Sequence, residues 1–165
     1  MRKTLFPLAF LVLLGAGAAP VPAQARFGTH VSWGDDTDLG IGGRVAFGLA
    51  SVAPKVPIEG QASFDYFFPD EAPGVDLTYW EINANVLYLI PGMTGPVKPY
   101  VGGGLNIAHA SVQSGLISAS DTDGGLNLIG GTKWKLRASR ISPFAEVRIE
   151  LGGGEQFVLA GGILF

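Results

Sequence analysis

The segment from Phe144 to Leu151, FAEVRIEL, alternates between two kinds of side chain. Every second residue from Ala145 onward is apolar, and the positions between them carry the charges of Glu146, Arg148 and Glu150. Successive side chains of an extended strand point to opposite faces of its sheet. The segment therefore predicts a β-strand with one apolar face and one polar face.

The same period of two recurs along most of the chain, and glycine, proline and aspartate separate the segments. Repeated segments of about ten residues with alternating polarity are typical of a transmembrane β-barrel. The pattern predicts eight strands joined as an antiparallel up-and-down meander. Their predicted ranges are 26–33, 39–48, 58–68, 77–89, 99–109, 125–136, 141–151 and 156–165.

Charged residues inside these strands lie on the face opposite the apolar row. A charge that faces lipid at mid-depth costs about 2–4 kcal/mol, so the charges are expected to face the lumen. Eight strands enclose a space only wide enough for side chains, so opposite charges taken out of bulk water are expected to pair and fill it. A narrow path for ions or water is the alternative. The predicted lumen network comprises Arg44, Glu59, Asp65, Glu81, Lys133, Lys135, Glu146, Arg148 and Glu150.

Alternation alone also fits a soluble β-sandwich, and the aromatic residues favour the barrel. Several lie near strand ends on the apolar face, as in the interfacial girdles of membrane barrels. They are Trp33, Phe68, Trp80, Tyr88, Trp134, Phe157 and Phe165. The chain also holds 25 glycines, many inside strands, which suits a narrow and strongly curved sheet. The predicted fold class is all-β, an eight-stranded antiparallel up-and-down transmembrane β-barrel.

The first 25 residues have the layout of a secretory signal peptide. A basic start is followed by an uncharged run over residues 5–19 and by Ala23-Gln24-Ala25, a small-x-small cleavage pattern. The uncharged run is shorter than the roughly 20 residues of a spanning helix. We expect cleavage after Ala25 and one mature barrel domain, residues 26–165. The absence of cysteine excludes a disulfide-stapled scaffold, and a formal net charge of −3 with scattered bases gives no nucleic-acid footprint.

The C-terminal segment QFVLAGGILF, residues 156–165, resembles the signal by which outer-membrane barrels are recognised for insertion. Apolar residues stand at alternate positions before a terminal aromatic, at Phe157, Leu159, Ile163 and Phe165, while Gly161 departs from the pattern. With PYVGGGL at 99–105 and PFAEVR at 143–148, the chain resembles the small eight-stranded barrel superfamily that includes the outer-membrane protein A transmembrane domain and porin-like relatives. The resemblance implies the bacterial outer membrane, a monomer, and contacts with lipid, lipopolysaccharide and the barrel-insertion machinery.

The charges in the predicted connections are segregated by sign. With a periplasmic N-terminus, the odd-numbered connections lie outside and hold nine acids: Asp35, Asp36, Asp38, Asp70, Glu71, Asp76, Asp121, Asp123 and Glu155. The periplasmic turns hold bases and no acid. These bases are Lys55, Lys98, Arg137 and Arg140.

An enzymatic alternative comes from His109-Ala110-Ser111, which resembles the His-x-Ser pair of the eight-stranded lipid A deacylases. Asp123 or Asp121 would then be the third catalytic residue, although the residues after Ser111 depart from that family and Asp replaces its Glu. The simpler interpretation is a strand-end histidine and a loop serine. The other histidine, His30, is expected to face the lumen as a hydrogen-bonded interior residue.

No metal or cofactor is predicted. Asp35-Asp36-Thr37-Asp38 lacks the spacing of a calcium loop and is more simply a solvated turn. The third outside connection, about residues 110–124, is the longest predicted loop and the most plausible place for a partner to bind. The sequence thus predicts a non-enzymatic outer-membrane barrel with a structural, envelope-integrity or surface-interaction role. A narrow porin-like channel and a lipid A-modifying hydrolase are the alternatives, because the superfamily hosts several kinds of function.

Overall fold

A computed structural model describes residues 25–70, 73–115, 117–137, 139–152 and 155–165. Apart from Ala25, the predicted signal peptide lies outside the described residues, as does Glu71. Within these ranges, no helix is long and apolar enough to cross a membrane.

Eight strands form one closed, antiparallel barrel in which each strand pairs with the next along the chain and the last pairs with the first. This confirms the predicted fold class. Closure leaves no open edge along the wall of the barrel, so the backbone groups there are paired between strands. The strands are β1 (Arg26–Gly34), β2 (Asp38–Gly48), β3 (Ile58–Phe68), β4 (Asp76–Leu89), β5 (Val97–Ser114), β6 (Ile117–Trp134), β7 (Ser142–Leu151) and β8 (Phe157–Leu164).

The prediction was wrong for the segment 110–124, which is not a loop. β5 continues to Ser114 and β6 begins at Ile117, and these two residues are paired. This part of the hairpin is largely exposed, so no buried face imposes the apolar and polar alternation by which a strand is recognised. Its serine, glycine and aspartate content therefore indicated solvent exposure rather than a loop.

The barrel is apolar outside and polar inside. On its exterior Leu105 is 61% exposed and Leu126 is 55% exposed, whereas Arg148 and Glu81 in the lumen are 1% and 0% exposed. Buried apolar side chains form two small clusters within the lumen, one around Phe144 and the other around Tyr100. The arrangement is the reverse of a water-soluble protein, in which charged residues are rarely fully buried.

The two ends of the barrel carry opposite charge. The end that holds the connections after β1, β3, β5 and β7 is called the acidic rim, and the other end the basic rim. The described residues of the acidic rim include eight acids and no lysine or arginine: Asp35, Asp36, Asp38, Asp70, Asp76, Asp121, Asp123 and Glu155. Among the described residues, the basic rim holds five exposed bases. These are Lys55, Lys98, Lys135, Arg137 and Arg140.

Candidate functional site

Arg148 on β7 is the centre of an ion-pair cluster in the half of the lumen nearer the acidic rim. Its Nη2 lies 2.8 Å from Glu81 Oε2 on β4, and its Nε lies 2.5 Å from Glu150 Oε1 on the same strand. Its Nη1 lies 3.6 Å from Asp65 Oδ2 on β3. One guanidinium therefore joins carboxylates from three strands, and every side chain in this cluster is at most 2% exposed.

Neutral and histidine side chains complete the hydrogen bonding of this cluster. His30 Nε2 lies 2.6 Å from Asp65 Oδ1, which agrees with the predicted interior role of His30. The Gln156 amide donates to Glu150 Oε2 at 3.1 Å and also to Glu81. Because these carboxylates outnumber the arginine, the extra donors satisfy oxygens that one guanidinium cannot reach.

Glu146 on β7 is the centre of a second cluster, nearer the basic rim. Arg44 on β2 binds it through both terminal nitrogens, at 3.1 and 3.2 Å. The Tyr100 hydroxyl donates to Glu146 at 2.8 Å and the Gln61 amide at 3.1 Å. The Arg44 guanidinium also lies 3.9 Å from the centre of the Phe144 ring. A bidentate, buried pair of this kind fixes the relative position of its strands.

A third group of charges lies in the lumen at the basic rim. Glu59 on β3 pairs with Lys133 on β6, and Arg26 Nη2 lies 3.1 Å from Glu59 Oε2. The prediction for Lys135 was wrong. Lys135 lies just past the end of β6 and is exposed on the basic rim. The alternation that predicted an inward Lys135 holds only within the strand, and β6 ends at Trp134.

Asparagine side chains join the first two clusters. Asn127 Nδ2 donates to Asn83 Oδ1 at 2.8 Å and to Asn85 Oδ1 at 2.9 Å. Asn83 donates in turn to Asp65 at 3.3 Å, and Asn85 to Gln61 at 3.2 Å. Hydrogen bonds therefore run without a break from the Arg148 cluster to the Glu146 cluster.

The sequence pattern placed the charges and several neutral polar residues on the inner face, but the predicted lumen network included only the charges. Inner-face parity was the available signal, since Asn127, Tyr100 and Gln156 follow the same alternation as their charged neighbours. The acids and bases were singled out by their charge. The uncharged polar side chains that link them lack a charge by which the sequence could single them out.

Two glycines make room for lumen rings. A Cβ at Gly42 would lie 2.4 Å from His30 Nε2, and a Cβ at Gly131 would lie 2.5 Å from the Tyr100 hydroxyl. A Cβ at Gly42 would also lie 2.6 Å from the backbone oxygen of Phe64, and a Cβ at Gly131 would lie 2.7 Å from that of Ala145. Neither position therefore accepts a side chain unless both the ring and the backbone shift. These glycines therefore position the partners of Asp65 and Glu146.

The candidate catalytic residues do not assemble. His109 pairs with Thr122 across the hairpin, and His109 Nδ1 lies 2.7 Å from Thr122 Oγ1. Asp123 pairs with Ala108, whose side chain is on the opposite face of the sheet. His109 and Ser111 share a face, but Asp123 lies on the other, and so does Asp121. The His109 ring is instead stacked on Trp80, with 5.0 Å between ring centres.

The C-terminal strand closes the barrel. Phe165 N donates to Phe27 O at 2.7 Å. On the exterior, Phe165 is 54% exposed and Leu159 is 43% exposed, and Phe157 lies on the same face while Ile163 is half-buried. The side chains of the predicted assembly signal therefore lie in one outward row.

Two acids of the first connection accept backbone hydrogen bonds from other segments of the acidic rim. Asp35 Oδ1 accepts a hydrogen bond from Phe157 N at 2.8 Å, and Asp38 Oδ2 accepts one from Asp70 N at 3.3 Å. In the part of the chain that the structure describes, no group of three or more His, Cys, Asp or Glu side chains is arranged to hold a metal ion. Asp35 and Asp38 therefore join the first connection to neighbouring segments of the rim.

Comparison with solved structures identifies the fold as that of the small outer-membrane β-barrels. The N-terminal β-barrel domain of Pseudomonas aeruginosa OprF is similar, with 13% identity, a TM-score of 0.68, and coverage of 86% of this chain and 95% of that one. Neisserial surface protein A is 18% identical with a TM-score of 0.56, and the match covers 85% of this chain and 91% of that one. A major outer-membrane protein from Thermus thermophilus is 15% identical with a TM-score of 0.54, and the match covers 86% of this chain and 99% of that one. Neither a protein-family model nor a curated protein matches the sequence.

Proposed function

We propose that this chain is a monomeric, non-enzymatic outer-membrane barrel with a structural, envelope-integrity or surface-interaction role. Signal-peptide export, contacts with lipid and lipopolysaccharide, and recognition of the C-terminal row by the barrel-insertion machinery are parts of the proposal. The observation that carries it is the filled lumen, in which ion pairs and amide hydrogen bonds connect the two halves of the barrel. The apolar exterior supports a lipid environment. With the lumen filled, the rims are the surfaces left for partners.

The non-enzymatic part of the proposal rests on His109, Ser111 and Asp123. A nucleophile needs its base within hydrogen-bond reach and a third group that orients the base. Here the acid lies on the opposite face of the hairpin and the histidine is bound to Thr122. The refolded protein should release no fatty acid from lipopolysaccharide. Release that Ser111→Ala abolishes would contradict the proposal.

A narrow path for ions or water is the second candidate, and one observation favours it. Five buried polar atoms in the described residues have no hydrogen-bond partner within the protein: His30 Nδ1, Arg44 Nε, Asn106 Oδ1, Asn127 Oδ1 and Thr132 Oγ1. Buried polar atoms of this kind are commonly satisfied by internal water. Isolated water sites do not make a conducting path unless they connect.

Two simple measurements test the membrane location. The protein should fractionate with the outer membrane, and its electrophoretic mobility should change on boiling, because a closed barrel stays folded in detergent until heated. Recovery in the soluble periplasmic fraction, with one mobility before and after boiling, would overturn the proposal.

Conductance in planar bilayers tests the lumen. The native barrel should give a flat trace. Arg148→Met should give brief, cation-selective openings, because it leaves Asp65, Glu81 and Glu150 without the guanidinium that joins them. Arg140→Met, on the exposed basic rim, is the matched control and should stay flat. Discrete openings of the native barrel would favour the channel.

A further inference from the structure

One strand edge is left open where the β5–β6 hairpin extends beyond the wall of the barrel. β4 covers the β5 side of this extension as far as the pair Asp76↔Gln113. On the other side, pairing of β6 with β7 begins only at Leu126↔Leu151. No strand of the described chain pairs with the outer edge of β6 from Ile117 to Gly125, and within this stretch Gly125 lies against Gly152. An open edge of this length is a template for another strand.

The register of the hairpin indicates which backbone groups are free. Ser114 and Ile117 are the closing pair of a hairpin with two residues between them, and such a pair exchanges both of its hydrogen bonds. Odd-numbered β6 residues therefore bond to β5, and even-numbered ones point their N–H and C=O groups to the open edge. In agreement with this, Thr122 N donates to its neighbour Asp121 Oδ1 at 2.9 Å. Ser118 and Ser120 present the next N–H and C=O groups along the edge.

The open edge carries few of the usual protections against strand addition. Charged side chains, especially lysine, and proline are common devices that limit edge pairing, and between Ser118 and Gly124 only Asp121 and Asp123 belong to them. From Ser118 to Gly124 the sequence is SASDTDG, which contains small or acidic residues. Asp121 and Asp123 are both exposed, and as residues two apart they share one face of the strand.

Charge selects the kind of strand that can bind. A second copy of this chain, paired edge to edge, would bring Asp121 and Asp123 near their own counterparts, and like charges on paired strands are destabilising. A strand with lysine or arginine at alternate positions would instead place its cations near these two carboxylates. The remaining acids of the rim add an attractive field that raises the association rate.

We propose that the open edge of β6 binds an extended, cationic peptide segment of another protein by strand addition. Ser118 and Ser120 supply the backbone hydrogen bonds, and Asp121 and Asp123 select for positive charge. The proposal names a partner class for the surface-interaction role and rests on the proposed function only in requiring that the acidic rim face the cell exterior. Strand addition with alternating side-chain contacts is an established mode of peptide recognition.

Peptide binding by the refolded barrel in phosphatidylcholine nanodiscs tests the proposal. The probe is a fluorescent nine-residue peptide in which lysine alternates with valine, and its partner control has glutamate in place of lysine. The lysine peptide should bind and the glutamate peptide should not. Binding should raise the hydrogen-exchange protection of the Ser118 and Ser120 amides, which a purely electrostatic contact would leave unchanged.

Ser120 provides a matched pair of variants. Ser120→Pro removes an edge N–H while leaving the bonds to β5, and should weaken binding about tenfold or more, because the lost bond and the ring both oppose pairing. Ser120→Ala keeps the N–H and should bind like the native protein. Asp121→Asn with Asp123→Asn should weaken binding about two- to tenfold at low salt and reduce its salt dependence. Each variant must keep its heat-dependent mobility, which shows that the barrel is folded.

Three outcomes would overturn the inference. They are no binding of the lysine peptide, equal binding by Ser120→Pro and Ser120→Ala, and dimerisation without peptide that Ser120→Pro prevents, which would make a second copy the occupant. The proposed function fails separately, on location or conductance. Binding by a barrel that conducts ions would leave the open edge supported and the filled lumen refuted.

Discussion

The ion pair between Arg44 and Glu146 gives the sharpest test of the lumen network. Both side chains are 1% exposed, and Glu146 accepts four hydrogen bonds, from Arg44, Tyr100 and Gln61. Glu146→Leu removes all four and leaves the Arg44 guanidinium buried without this carboxylate. Removing one partner of a buried ion pair costs about 3–5 kcal/mol, so the free energy of unfolding should fall by about that amount.

The double variant Arg44→Met with Glu146→Leu separates charge from packing. It removes both charges, so no unpaired ion remains, and the cost left is that of Tyr100 and Gln61 losing their acceptor. Buried groups left without a partner cost about 1–3 kcal/mol each, reduced where the group finds another partner. We therefore expect the double variant to be more stable than Glu146→Leu alone.

Equilibrium unfolding of the refolded barrel in lipid vesicles with urea measures both effects, and Arg44→Met completes the double-mutant cycle. Fluorescence of Trp33, Trp80 and Trp134 reports unfolding, because their side chains lie on the outer face of the wall. Glu155→Leu on the exposed rim is the control and should change the free energy by less than about 0.5 kcal/mol. A cost of Glu146→Leu no larger than that of Glu155→Leu, or single costs that simply add in the double variant, would contradict a stabilising ion pair between Arg44 and Glu146.

Three further predictions use the same unfolding or assembly measurements. Gly42→Ala should lower the free energy of unfolding by about 1–3 kcal/mol, because the new Cβ would lie 2.4 Å from the His30 ring. Gly43→Ala, whose Cβ would have its nearest atom 3.9 Å away, should lower it by less than about 1 kcal/mol, and equal costs would contradict the close packing at Gly42. Asn127→Leu should lower the free energy of unfolding by about 1–3 kcal/mol, because it leaves the Asn83 and Asn85 side-chain oxygens unpaired. The control Leu128→Val on the lipid face should cost less, and a larger cost for Leu128→Val than for Asn127→Leu would contradict the proposed link between the clusters. Deletion of Phe165 should lower the fraction of protein assembled in the outer membrane while Phe165→Tyr keeps it, and normal assembly after the deletion would end the terminal-signal hypothesis.

Period-two alternation was enough to predict the strands whose two faces meet different surroundings. β3 was predicted at both ends, and β1, β2, β4, β7 and β8 to within one residue at each end. The same parity placed Arg148 and Glu146 on the inner face. It could not say that Arg148 would meet Glu81, because that contact joins strands 67 residues apart and depends on the stagger of the closed sheet, which no single strand encodes.

The two wrong predictions, for Lys135 and for residues 110–124, have a common cause at the rims. Lys135 follows the inner-face parity, but the wall ends at Trp134, so its side chain is exposed. The β5–β6 extension has backbone pairing without a wall behind it, and its side chains carry no alternation. Alternation assigns inward and outward residues only in a strand that has lipid on one face and the lumen on the other. It assigns nothing where both faces are exposed to water.

The same division indicates where a filled barrel can act. Its outer wall is apolar and suited to lipid, and its interior is occupied by paired charges, so neither surface is open to a soluble partner. At the basic rim the connections after β2, β4 and β6 follow strands that are paired to their ends or nearly so. At the acidic rim, β6 continues for nine residues, Ile117 to Gly125, before β7 joins it. The backbone groups of Ser118 and Ser120 therefore provide directional contacts where the wall and the lumen provide none, and the acids around them determine the charge of what binds.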